Sequence, residues 1–182
     1  MSRPAILAGQ WKGLALQVAP GDTTRPTRSA VRESIFAWVA DWVPEARVLD
    51  LYAGSGALGL EALSRGAASA CFVERHPAAL AALRANLAAA RVPAERASLI
   101  VTDATRVQFP EATCFDLVLA DPPFALRDPL PARLGRPGLL AGDGCLVIEQ
   151  PATRIAAVRW EHLRLVENRV YGVSRVCLYR PG

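Results

Sequence analysis

Lysine is nearly missing from this chain: of 21 basic residues among 182, only Lys12 is not arginine. Cysteine is sparse, at four, and Cys71, Cys114, Cys145 and Cys177 never come close enough for a C-x-x-C pair. His76 and His162 stand apart from them, so no zinc-ligand spacing is present and no metal site is expected. Buried free thiols in a reducing compartment are the expectation. No run of about 18 apolar residues could span a bilayer, and the opening residues 1–13 lack the apolar core of a secretory leader. The expectation is a soluble, cytoplasmic protein. Low-complexity tracts and internal repeats are also absent.

What is there has ordinary globular proportions: 52% hydrophobic and 21% charged residues, long enough for one sizeable core. The net charge is +4 and the isoelectric point about 9.2. Arginine forks suit phosphate and stack on bases, so the balance leans toward a nucleic-acid partner. An arginine-rich proteome would leave the same mark, so charge by itself does not decide.

Residues 1–26 are short apolar pieces broken by glycine and proline, which predicts a small β-hairpin or extended arm ahead of a domain over 27–182. Thr27 is placed to cap a helix carrying Val31, Ile35, Phe36, Val39 and Trp42, stopped by Pro44. Strands then alternate with helices: 47–51, 69–74, 98–102, 115–120 and 144–150, with helices over 58–65 and 77–91. Residues 163–179 split around Tyr171-Gly172 into a hairpin. Unbroken apolar strands joined by helices predict a doubly wound, mostly parallel α/β sheet of seven strands with an antiparallel C-terminal hairpin.

Four motifs carry chemistry. The first is Asp50-Leu51-Tyr52-Ala53-Gly54-Ser55-Gly56-Ala57-Leu58-Gly59. Glycines at 54 and 56 remove Cβ atoms where strand turns to helix, so a ligand can approach the backbone. The same glycines fit the dinucleotide pattern G-x-G-x-x-G. Asp50 opposes that: a carboxylate beside the loop repels a pyrophosphate and attracts a sulfonium or ammonium group. The second is Glu74, twenty residues after Gly54, where α/β nucleoside binders place an acid for the ribose hydroxyls, with Arg75 beside it. The third is Asp103-Ala104, closing the third strand; Asp103 suits an adenine amino group or, equally, a helix N-cap.

The fourth is Asp121-Pro122-Pro123-Phe124 after the fourth strand. Two prolines stiffen the loop and bias Asp121 toward an extended conformation. The Asp121 carboxylate and Pro122 carbonyl then face outward as acceptors beside a flat ring. A planar amine needs acceptors for its hydrogens and a surface to stack on.

Together these motifs resemble the Rossmann-like S-adenosylmethionine-dependent methyltransferases, and Asp-Pro-Pro-Phe is similar to their N-methyltransferase signature. The stretch 8–13, then Arg25-Pro26-Thr27 leading to Val31-Arg32-Glu33-Ser34-Ile35-Phe36, then 49–66, then Asp121–Phe124, resembles the bacterial 16S ribosomal RNA guanine-N2 methyltransferase family. The resemblance implies a monomeric enzyme that methylates small-subunit rRNA, in an assembly intermediate. It implies that Asp50, Tyr52, Ala53, Gly54, Ser55, Gly56, Glu74, Arg75, Asp103, Ala104 and Asp121 hold the cofactor. Asp121, Pro122, Pro123 and Phe124 would hold the guanine amine, and Lys12, Arg25, Thr27, Arg28 and Arg32 would meet RNA. The chain departs from the family at Arg28-Ser29-Ala30 and in the proline- and arginine-rich stretch 125–138. The same signature also serves DNA adenine and protein glutamine. An NAD-dependent oxidoreductase and a non-catalytic RNA-binding module are the readings from other classes. A second arginine set, 154, 159, 164, 169, 175 and 180, faces only Glu161 and Glu167 over 151–182; five-residue spacing fits neither a helix face nor a strand face.

Overall fold

Every residue of β1, Arg47–Leu51, is buried except the first, as a strand covered on both faces requires. The computed structural model describes residues 4–20, 26–127, 130, 134 and 138–182. The side chains of 26–28 lie outside the described residues. β2 (Ser69–Glu74), β3 (Ala97–Val101), β4 (Phe115–Ala120) and β5 (Leu140–Pro151) follow. β1 pairs in parallel with both β2 and β4, β2 with β3, and β4 with β5. β7 (Leu163–Tyr171) and β8 (Ser174–Pro181) form the expected hairpin, with β8 antiparallel to β5.

Among the described residues the sheet has eight strands, in the order β3-β2-β1-β4-β5-β8-β7-β6, not the seven expected. The extra strand, β6, is Arg159–Trp160. Two residues are too few to show the alternation by which a strand is read, and pairing to β7 alone defines it. Order reverses between β1 and β4, the switch point where ligands sit in open α/β sheets.

Among the described residues three α-helices, α1 (Pro26–Trp38), α2 (Ala57–Ser64) and α3 (Pro77–Ala89), cover one face. Val31, Ile35, Phe36, Leu60, Leu63 and Leu83 pack there against Val48, Phe72, Leu117 and Val176. The opposite face is closed by the non-helical chain carrying Val107 and Phe109, and by Leu134, Leu139 and Leu163, over Leu49, Val118 and Leu146. α1 begins at Pro26, so Thr27 lies inside the helix rather than ahead of it, and proline suits a first turn whose N–H needs no partner. Cys71, Cys145 and Cys177 are buried free thiols, and Cys114 is half-buried.

The N-terminal arm is a hairpin reduced to one bridge, Ala5 with Ala15, around a turn at Gly9–Gly13. Gly9 is held against α2: a Cβ there would stand 1.9 Å from the Ser64 carbonyl oxygen. Among the described residues no helix is long and apolar enough to cross a membrane.

Candidate active site

Adjacent strands bring the two chemical loops together. Leu51 pairs with Ala120, so the glycine loop after β1 and the Asp-Pro-Pro-Phe loop after β4 leave neighbouring strand ends. Tyr52 makes the first turn with φ of 63°, a left-handed conformation that a bulky residue rarely adopts. Such strain costs on the order of 1–3 kcal/mol and gathers at functional sites. Gly54 and Gly56 follow with φ of 56° and 81°.

The two glycines have different tasks. A Cβ on Gly54 would meet only the Tyr52 carbonyl, at 3.9 Å, leaving room for a ligand. A Cβ on Gly56 would stand 2.4 Å from Leu83, so this glycine admits α3, not a ligand. Gly59 likewise makes space for the Phe72 ring, 2.3 Å from its would-be Cβ.

A cavity of about 1160 Å³ opens over these strand ends. Asp50, Tyr52, Ala53, Gly54 and Ser55 form its floor; Glu74, Arg75, Asp103 and Ala104 one side; Asp121 to Phe124 the other. All of these were candidates from the sequence, and the tertiary structure places them around one space. Among the described residues five carboxylates (Asp50, Glu74, Asp103, Asp121 and Glu149) share the wall with two guanidinium groups, Arg32 and Arg75. That imbalance favours a cationic ligand.

Asp50 is 1% exposed, and one of its oxygens accepts the Gly59 N–H at 2.8 Å. It therefore caps the first turn of α2 from inside the sheet, in the place where a dinucleotide's phosphate would bind. Burial, opposed by that hydrogen bond and assisted by Asp121 and Glu74, pushes its carboxyl up to about 7. Glu74 accepts the Gly54 N–H on Oε2, and the Arg75 and His76 N–H groups on Oε1, all at 2.7–2.8 Å. An ionised carboxylate offers about four acceptor positions, so capacity remains for hydroxyl donors.

Asp103 caps its own turn, not a helix: the Thr105 N–H and hydroxyl both donate to Oδ1, at 2.9 and 2.7 Å. Arg75 donates to its Oδ2 at 2.6 Å. The Thr105 hydrogen bonds, with Arg75 assisting, hold the carboxyl below its ordinary value. Burial, and then the Asp103 charge, push the Tyr52 phenol up to about 12, so it stays a neutral hydroxyl. Phe124 is 38% exposed at the rim.

Of the residues expected to meet RNA, the two whose side chains are described, Arg32 and Lys12, do other things. Arg32 lines the cavity but is only 6% exposed; its Nη2 donates to the Ala5 carbonyl, and its Nε lies 3.8 Å from Glu61 Oε2. It fastens the arm to α1 and α2 and presents no open fork to RNA. Lys12 is exposed but remote. Its turn is docked on Ser64 at the end of α2, whereas the cavity opens over Ala57 and Leu58 at the start. Eight helical residues separate those ends by roughly 12 Å. Nearness along the chain did not carry over into space. Arg25 and the side chains of Thr27 and Arg28 lie outside the described residues.

Four residues of consequence were not singled out from the sequence. Glu61 is completely buried and gathers the Leu7 and Ala8 N–H groups, Arg65 and Arg32. Its signal was a lone charge in the apolar helix Ala-Leu-Gly-Leu-Glu-Ala-Leu-Ser. Asn86 joins Gln17 of the arm to the Ser55 carbonyl of the glycine loop. Glu149 continues β5 one residue beyond Ile148, which pairs with Ala120, and so sits beside Asp121. Ser174 donates to Glu149 Oε1 at 2.5 Å, and both line the cavity. No local pattern marked Glu149 or Ser174.

The chain has relatives among known proteins. A family model described as conserved hypothetical protein 95 matches residues 5–180. The chain is 42% identical over 119 residues to "Ribosomal RNA small subunit methyltransferase D" of Escherichia coli, a match covering 65% of this chain and 59% of that protein. It thus spans less than two thirds of that relative. It is 32% identical over 180 residues to "Putative rRNA methyltransferase YlbH" of Bacillus subtilis, covering 96% and 97% of the two chains. Among solved structures, "Putative methyltransferase yhhF from Escherichia coli" superposes with a TM-score of 0.85 at 34% identity, over 98% of this chain and 97% of that one. A Haemophilus influenzae protein described as a "putative methylase", HI0767, does so with a TM-score of 0.81 at 28% identity, over 97% of each chain. The fold is the Rossmann-like methyltransferase fold, and the chain belongs to the conserved hypothetical protein 95 family, the family of the rRNA methyltransferases it resembles.

Proposed function

We propose that this protein methylates the exocyclic N2 amine of a guanine in 16S small-subunit ribosomal RNA, using S-adenosylmethionine. The observation that carries the reading is the single cavity joining the Asp50–Gly54–Glu74 loops to Asp121–Phe124. The names of the relatives, rRNA methyltransferases, support the same substrate class.

The donor set fits the cofactor. A sulfonium and an ammonium group are drawn to a carboxylate-rich wall that repels phosphate. Gly54 leaves backbone space, and Glu74 keeps acceptor capacity for ribose hydroxyls. Asp50, Tyr52, Ala53, Gly54, Ser55, Glu74, Arg75, Asp103 and Ala104 would hold it; Gly56 acts through its packing on Leu83. S-adenosylmethionine, when bound, supplies an electrophilic methyl group.

At the other end, Asp121 and the Pro122 carbonyl accept the hydrogens of the amine, and Phe124 gives the base a face to lie on. The guanine amine is a weak nucleophile because its lone pair is delocalised into the ring. Acceptors that hold its hydrogens favour the pyramidal nitrogen that frees that pair. Positioning of this kind is worth roughly 7–11 kcal/mol at best. The base must leave its stack to enter, at a cost of a few kcal/mol.

Glu149 favours guanine over adenine. Guanine presents N1–H beside its amine, two adjacent donor groups, and Asp121 and Glu149 are two adjacent acceptors. Adenine presents a bare N1 lone pair there, which a carboxylate repels.

The test is methyl transfer from labelled cofactor to 16S rRNA, naked and in assembly intermediates, against DNA and protein. Labelled N2-methylguanine in rRNA is expected. Label only in DNA adenine or protein glutamine would replace this reading.

A further inference from the structure

The cavity that suits a cation is hostile to phosphate, so an RNA acceptor must be gripped elsewhere. Cross-strand register supplies a place. Arg159 of β6 stands opposite Arg164 of β7, and Arg164 opposite Arg180 of β8. Directly opposed residues project from the same face of a sheet. The intervening neighbours Trp160, Leu163 and Tyr179 pack into the core on the other face. The three arginines therefore share the face that carries α1, and Arg180 stacks over Trp42 at 5.4 Å.

Like charges placed directly opposite one another destabilise a sheet unless something compensates. Arg159 and Arg164 are exposed, and neither makes an ion pair among the described residues. Residues 151–182 hold only two acidic side chains, Glu161 and Glu167, and Glu167 is paired with Arg169. Strands lie about 4.8 Å apart, so the row spans roughly 10 Å. Arg159 and Arg164 are exposed guanidinium forks from which phosphate oxygens can accept bidentately, while Arg180, its Nη2 on the Asp143 carbonyl at 3.4 Å and its Nε buried, adds its charge behind them.

Its position relative to the cavity is favourable. Ser174, at the start of β8, lines the cavity, and Arg180 lies six residues along the same strand, roughly 20 Å away. α1 runs beside that path: Ser29 and Arg32 line the cavity, Arg169 stacks over Trp38 at 4.5 Å, and Trp42 follows.

We propose that the Arg159–Arg164–Arg180 row is a docking strip for the sugar-phosphate backbone of the RNA whose base enters the cavity. The strip sets where the RNA lies and leaves base choice to the cavity. It rests on the reading of an RNA acceptor.

The test uses the full chain, an Arg159→Gln/Arg164→Gln double variant, and deproteinised 16S rRNA. Binding is measured at several KCl concentrations between about 50 and 200 mM. Each phosphate contact contributes about 0.7 to the slope of log affinity against log salt on single strands. The double variant should lower that slope by about 1.4 and weaken binding about tenfold or more at the lower salt. Binding of S-adenosylhomocysteine should be unchanged, and the melting temperature should not fall, because relieving opposed like charges can only favour the sheet. A control, Arg84→Gln/Arg91→Gln, removes the same charge from exposed Arg84 of α3 and exposed Arg91 in the turn just after it, and should leave the slope as it was. An unchanged slope in the strip variant, or an equal drop in the control, overturns the proposal. So does a polyglutamate probe binding the strip as tightly as RNA. RNA held through the strip, with no methyl transfer to either naked rRNA or assembly intermediates, would uphold the strip and sink the enzymatic reading instead.

Discussion

Replacing Asp50 by asparagine should make the ligand-free protein more stable while it damages ligand binding. Asp50 is wholly buried among Asp121, Glu74 and apolar strands, and its carboxyl is pushed up to about 7 from an ordinary 3.8. The gap, at about 1.4 kcal/mol per pH unit, caps the penalty of ionising it in the fold at about 4 kcal/mol. The sign follows from proton counting. Below about 3.8 both the folded and unfolded chains keep the proton, so Asp50 costs nothing. Between 3.8 and 7 the unfolded chain releases it and the folded one holds it, so stability falls as pH rises. Above 7 the full penalty is present. Asparagine carries no charge and can still accept the Gly59 N–H. Asp50→Asn should therefore exceed the wild type by up to about 4 kcal/mol at pH 8, and by only about 1 kcal/mol at pH 4.5. In a chain this size, about 2–4 °C of melting temperature accompanies each kcal/mol. Thermal unfolding of both proteins at the two pH values measures the difference. A cationic ligand reverses the balance, because its charge favours the ionised carboxylate. S-adenosylmethionine should bind the wild type more weakly at pH 6 than at pH 8, and the variant about tenfold more weakly with no such dependence. A variant less stable than wild type at pH 8, or a stability gap that does not move with pH, would refute the account of Asp50.

Asp121→Ala should abolish methyl transfer while S-adenosylhomocysteine binding largely survives; an undiminished single-turnover rate removes Asp121 from the chemistry. Glu149→Gln should lower kcat/KM on rRNA about tenfold or more with no change in melting temperature, since the amide can still accept from Ser174 and remain folded. Equal loss of cofactor binding would show that Glu149 acts on the fold, not on the acceptor base. Glu61→Ala leaves Arg32 and two backbone N–H groups of the arm without their shared partner and should cost about 3–5 kcal/mol in urea unfolding. A loss below about 1 kcal/mol would mean that the arm is held by its apolar contacts and its hydrogen bonds to Ser64 and Asn86, without need of Glu61.

The amino-acid sequence by itself determined the alternating strands, the place of each loop and the four motifs. These are local facts. Strand and helix periods are written into five to fifteen neighbouring residues, and Gly54, Glu74 and Asp121 mark strand ends by their immediate surroundings. The parallel sheet and its switch point then followed from general rules of connection. Tertiary structure alone decided which residues face one another over long separations. It buried Arg32, turned Lys12 away from the cavity, set Glu149 beside Asp121, and made Gly56 a seat for Leu83. It also aligned Arg159, Arg164 and Arg180 into one row, although their spacing fits no single helix or strand. The physical reason is that pairing register and side-chain burial are set by the summed packing of the whole sheet, and no short window of sequence contains that sum.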